Sequence, residues 1–180
     1  MKIIAVFHQD KIVGVTGCKK SIGANPPMAI AGMEKIDALI PTLRELGPYN
    51  GMLFTSRMAR AADAASVLAM EFDLDFRSIK GLGQAGNLDN GVVIPYPGYE
   101  NDGPIEWQRD GLEAFADIYL MTDENDTALA FSHRPIIGAL VALCKGIVDA
   151  NGINAIVQDK NLTKDGYVVF NYDGVTLTLA

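Results

Sequence analysis

Apolar runs of strand length recur along this chain, each followed by a stretch of helical periodicity. That alternation restricts the fold more than any other feature. Lys2 to Phe7 reads as a first strand. A loop over 16–27, punctuated by glycine and proline, precedes a helix expected from Met28 to Leu46, in which Ile36, Leu39, Ile40, Leu43 and Leu46 share one face. Gly47-Pro48 ends it. Met52 to Thr55 is the next strand, and Met58 to Phe72 an Ala-rich helix with Val67 and Leu68 facing inward. Leu74 to Ile79 reads as a short strand, Ile105 to Leu120 as a helix and Thr127 to Ser132 as a strand. Pro135 suits the first position of a helix reaching Lys145. Tyr167 to Asn171 and Val175 to Leu179 are β-type runs, with Asp173-Gly174 between them as a hairpin signal. Strands alternating with helices in this way predict an α/β fold with a mainly parallel sheet. Residues 81–104, rich in glycine and proline, read as a long irregular stretch of the kind that forms functional lids or disordered segments.

A length of 180 residues suits one domain spanning 1–180. Apolar residues make up 49% and charged residues 21%, the profile of a soluble globular chain. No apolar run approaches the ~20 residues needed to span a bilayer. Lys2 is followed by neither a long apolar stretch nor a small-residue cleavage site, so no secretory signal is read. Cys18 and Cys144 lack metal-ligand or C-x-x-C spacing, which fits a reduced, cytoplasmic chain. The net charge of −7 repels nucleic acid and anionic membranes at long range, and no basic stripe offsets it, so neither is expected as a partner. A local cluster of positive groups can still hold a small anion against that field.

The chain has two histidines, and each directly follows a predicted strand: His8 after Phe7, His133 after Ser132. Between them, Thr55-Ser56-Arg57-Met58-Ala59-Arg60-Ala61 follows a third. Chemistry in open α/β sheets gathers at the carboxyl ends of strands. Two imidazoles and a guanidinium at three such ends make a phosphate pocket. A neutral imidazole can attack phosphorus and carry the phosphoryl group. The group in transfer needs positive charge and N–H donors placed around its oxygens beforehand. Arginine supplies a planar, permanently charged fork, and helix N-termini add backbone N–H groups. Arg60 lies in a first helical turn, and His133 just before Pro135 opens a helix.

Other motifs carry less. Thr16-Gly17-Cys18-Lys19-Lys20-Ser21-Ile22-Gly23 resembles the nucleotide loop of short-chain dehydrogenases. Ser21, however, replaces the middle glycine, and Asn25-Pro26-Pro27 blocks the helix that should follow. A glycine-punctuated loop is the better reading. Asp123-Glu124-Asn125-Asp126 reads as a solvated turn, and no metal site is expected. Trp107, Tyr96 and Tyr99 either line a lid or anchor the long loop on the core.

Taken in order, the strand-end motifs resemble those of the histidine phosphatase superfamily, also called phosphoglycerate mutase-like. The family's R-H-G corresponds to Phe7-His8-Gln9, its S-P-L-x-R-A to Ser56-Arg57-Met58-Ala59-Arg60-Ala61, and its S-H-x-P to Ser132-His133-Arg134-Pro135. The match covers about residues 1–146. The short length and the Ser-His-x-Pro form are similar to the small phosphohistidine phosphatase branch.

The resemblance implies a three-layer α/β sandwich with a mainly parallel central sheet, and a phosphomonoesterase working without metal or cofactor. His8 would be the nucleophile, Arg60 would hold the phosphoryl oxygens, and His133 would donate to the same group. Phe7 departs from the family's arginine and Gln9 from its glycine. No glutamate matches the family's proton donor: Gln84 stands near its place, with Asp89 and Glu100 as alternatives. Arg57, Arg134 and Lys11 are the candidate replacements for the lost arginine; Gln9 is a further phosphate-binding candidate. The competing expectation is a catalytically impaired member that binds an anionic ligand or a protein partner. The implied partner is a small phosphorylated molecule or a phosphoprotein, with a homodimer allowed.

Overall fold

A computed structural model describes residues 1–7, 28–83, 86–89, 92–95 and 103–180. The expectations for His8, Gln9, Lys11, Cys18, the 16–27 loop, Gln84, Tyr96, Tyr99 and Glu100 lie outside the described residues. The elements run β1 (Lys2–Phe7), α1 (Ile30–Leu46), β2 (Tyr49–Thr55), α2 (Ala59–Phe72), β3 (Asp75–Ser78), a 3-10 turn (Lys80–Leu82), β4 (Gly86–Asp89) and β5 (Val92–Pro95). They continue with α3 (Pro104–Leu120), β6 (Thr127–Ser132), α4 (Arg134–Cys144), α5 (Ala150–Gln158), a second 3-10 turn (Lys160–Thr163), β7 (Tyr167–Tyr172) and β8 (Leu177–Leu179).

One mixed sheet has the order β3-β2-β6-β1-β7-β8. The strands β3, β2, β6 and β1 are mutually parallel; β7 runs antiparallel to β1, and β8 antiparallel to β7. A parallel strand covered on both faces reads as an unbroken apolar run, and β1 shows why. Side chains alternate across a strand. Ile3, Ala5 and Phe7 therefore pack on one face with Phe115 and Ile118 of α3, Ile136 and Leu140 of α4, and Ile153 and Val157 of α5. Ile4 and Val6 pack on the other with Ile36 and Leu43 of α1 and Ala61 and Leu68 of α2. The result is three layers, helices on either side of a mostly parallel sheet. No helix among the described residues is long and apolar enough to cross a membrane.

Beyond shifts of one or two residues at the ends of α2, α3, α4, β3, β7 and β8, the structure differs from the sequence reading as follows. The β2 strand starts at Tyr49 rather than Met52 and shifts register between Tyr49 and Leu53, where Gly51 adopts a left-handed φ of 61°. Four residues of β2 there span two of β6, and this break in the ladder hides the strand's start. The α1 helix starts at Ile30, because Ala29 is extended (φ −77°, ψ 158°) and serves as its N-cap; the Met28 N–H before it donates to Asp63 Oδ2 of α2 at 2.9 Å. The stretch read as irregular contains an antiparallel pair, with Gly86 opposite Pro95 and Asp89 opposite Val92. Finally, α5 went unread. Its N-cap Asp149 accepts from the Gly152 N–H at 2.9 Å, satisfying one of the donors a helix start leaves over.

Candidate functional site

Among the described residues, six polar or charged side chains are buried: Thr55, Ser56, Arg60, Gln108, Ser132 and His133. Such residues are the informative exceptions in a core. Gln108 sits within the helical layer, where its amide donates to the carbonyls of Ala139 and Ile147. The other five gather at one edge of the sheet. Because β2, β6 and β1 are parallel and adjacent, their carboxyl ends coincide. Thr55 is in register with Phe131, and Phe7 with Ser132. The helices α2 and α4 both begin at this edge, and neither carries an acidic residue in its first turn.

Backbone and hydroxyl bonds fix these ends together. The Ser56 N–H donates to the Phe131 carbonyl at 3.2 Å, tying the end of β2 to β6. Ser56 Oγ lies 2.7 Å from His133 Nε2, with both residues fully buried. Ser56 Oγ also accepts from the Met58 N–H at 3.3 Å. The Ser132 hydroxyl donates to the Leu82 carbonyl at 2.9 Å, which draws the first 3-10 turn over the end of β6. Arg60, second residue of α2, is 1% exposed. A fully buried guanidinium at a helix start is uncommon, because burying a charge is costly unless it is compensated. The edge thus combines a buried cation, a buried imidazole and two helix N-termini, a combination suited to an oxyanion.

The structure places the remaining candidates elsewhere. Arg57 is exposed beside this edge. The Arg134 guanidinium reaches the end of α5, where Nε donates to the Val157 carbonyl and Nη2 to the Asp159 carbonyl, each at 2.6 Å. Helix C-termini leave carbonyls without intrahelical partners, and arginine satisfies them. Arg134→Ala is expected to lose about 1–2 kcal/mol from these bonds, seen as a fall of about 2–8 °C in a thermal melt at this chain length. Phe7 is 3% exposed and joins the core on the α3, α4 and α5 side. An apolar ring therefore occupies the position at which the family resemblance expects an arginine.

Sequence reasoning gave no role to Thr55, Ser56 or Ser132. The available signal was a hydroxyl residue closing each of two apolar strands, a pattern that also reads as a turn start.

No family model and no curated protein matches the sequence. Solved structures do. The phosphoserine phosphatase of Entamoeba histolytica, in complex with 3-phosphoglyceric acid, aligns at 14% identity over 99% of this chain and 94% of that one, with a TM-score of 0.67. A mycobacterial glucosyl-3-phosphoglycerate phosphatase in complex with VO3 aligns at 13% identity over 99% and 96%, with a TM-score of 0.67. The phosphoglycerate mutase of Plasmodium falciparum aligns at 14% identity over 99% and 87%, with a TM-score of 0.58. At these identities the likeness is one of architecture, and it agrees with the three layers and the mostly parallel sheet described above. The protein has the fold of the histidine phosphatase, or phosphoglycerate mutase-like, superfamily.

Proposed function

We propose that this protein is a histidine-phosphatase-type phosphomonoesterase that acts through a phosphohistidine on His8. The observation that carries the reading is the burial of both Arg60 and His133 at the starts of α2 and α4, the helices that follow the neighbouring parallel strands β2 and β6. His8 follows β1, whose last residue is in register with Ser132, the residue before His133. The His8 imidazole attacks phosphorus, the P–O ester bond breaks, and the alkoxide leaves, taking a proton from solvent water. Water then attacks the phosphohistidine, releasing inorganic phosphate and the free imidazole. Arg60 neutralises the equatorial oxygens and His133 donates an N–H to them, both positioned before the reaction begins. The substrate class is a small phosphomonoester. The phosphatases of like fold support that class by their names, one for phosphoserine and one for glucosyl-3-phosphoglycerate.

Titration with vanadate, followed by hydrolysis of p-nitrophenyl phosphate, tests the reading. Vanadate binding together with turnover that His8→Ala abolishes supports it. Failure to bind millimolar vanadate sinks it.

Phe7 favours a second reading, in which the pocket binds an anionic ligand or a phosphoprotein without turning it over. Phe7→Arg separates the two. Removing a buried ring costs about 3 kcal/mol or more, and placing a guanidinium in an apolar core adds to that. The expected result is a less stable protein with no gain in turnover. A gain of tenfold or more would mean that the natural pocket lacks a cation it needs, and would favour binding alone.

A further inference from the structure

The Ser56–His133 contact fixes more than a distance. A buried hydroxyl has one proton to place, and buried polar hydrogens find acceptors. Among the described residues, Ser56 Oγ has two hydrogen-bond partners, the Met58 N–H and His133 Nε2. The first is a donor, so the Ser56 proton can be accepted only by Nε2. An imidazole nitrogen that accepts carries no proton, and the neutral ring then holds its proton on Nδ1. Which nitrogen of a histidine is protonated follows from the bond made by the other.

We propose that Ser56 is a positioning residue that locks His133 as its Nδ1–H tautomer. The inference rests on the phosphoryl-transfer reading for its purpose: the N–H that His133 offers to a phosphoryl oxygen is then Nδ1–H. Ser56 can set that tautomer because it is itself held twice over. Its backbone N–H is bound to the Phe131 carbonyl, and its Oγ to the Met58 N–H at the start of α2. The contact joins positions 77 residues apart, so the end of β2 governs the chemistry at the end of β6.

The whole 15N-labelled protein, free of ligand, gives the test through long-range 1H–15N spectra of its imidazoles. With two histidines in the chain there are two ring patterns, and His8→Ala assigns them. Wild type is expected to show His133 with an unprotonated Nε2 and a protonated Nδ1. In Ser56→Ala both nitrogens should move toward the average of the two tautomers; Ser56→Thr, which keeps the hydroxyl, should hold the wild-type pattern. Should Ser56→Ala fail to fold, Ser56→Cys, whose thiol is a weak donor, is expected to shift the pattern part of the way. A protonated Nε2 in wild type, or an unchanged pattern in the Ala or Cys variant, overturns the assignment. In turnover, Ser56→Ala should lower kcat about tenfold or more and leave KM nearly unchanged, because the lost orientation matters in the transition state. Vanadate keeps the two ideas apart: a correct tautomer with no vanadate response sinks phosphoryl transfer, and a vanadate response with the wrong tautomer sinks the role of Ser56.

Discussion

Arg60→Ala is expected to weaken vanadate binding by about 10- to 100-fold, the equivalent of one charge-assisted hydrogen bond of about 1.5–3 kcal/mol. The loss in kcat/KM for a small phosphomonoester should be larger, on the order of 100- to 1000-fold, because donors in a dry site count most where charge develops. Arg60→Lys should recover only part of either. It restores the charge without the planar fork that holds two oxygens at once. Calorimetric titration and steady-state kinetics read the two effects separately. Arg60 is also among the largest fully buried side chains, so a thermal melt should accompany both variants. A folded Arg60→Ala protein that binds vanadate like wild type would remove Arg60 from the site.

The second large effect is expected from a residue with no functional group. A Cβ added at Gly81 would lie 2.2 Å from the Asp110 carbonyl oxygen and 3.0 Å from the Ala114 Cβ, both on α3. The first of these atoms is backbone, and the α3 helix is pinned to the sheet by Ala114, Phe115 and Ile118, so the helix cannot retreat. Gly81→Ala should cost about 3 kcal/mol, the upper part of the range for overpacking, and lower the melting temperature by about 6–12 °C. Activity should fall as well. Pushing the 3-10 turn off α3 withdraws the Leu82 carbonyl from the Ser132 hydroxyl, beside His133. An unchanged melting temperature would mean that the turn packs on α3 more loosely than these distances indicate.

How much was legible in the sequence depended on whether a structural cause left a local trace. The bounds of β1 and β6 were read correctly because strands buried on both faces are continuous apolar runs. The start of β2 was not, since Gly51 interrupts the run where the ladder breaks. The β4–β5 pair did have a trace: Asn90-Gly91 separates Asp89 from Val92, a strong two-residue turn signal lost among neighbouring glycines and prolines. With only nine residues, α5 offers too few turns for its periodicity to stand out. At the candidate site, Arg60 and His133 could be singled out because each follows a strand end in sequence. The contact between Ser56 and His133 could not, because it depends on strand order. Nor could the reach of Arg134 to α5, when the helix that receives it had not been seen.

The order of strands has a consequence for how the chain acquires this edge. The two parallel partners β1 and β2 are separated by β6, which is the last of the three to be made. Until residues 127–132 arrive, the flank of β2 that faces β6 has nothing to pair with. The central strand β1 waits longer still, since its other neighbour, β7, comes after β6. Unfilled strand flanks invite pairing with other chains, and pairings this distant in sequence close slowly. A nascent chain therefore carries open strand flanks until late: β6 seals the flank of β2 and one side of β1, bringing their carboxyl ends together, and β7 then covers the other side of β1.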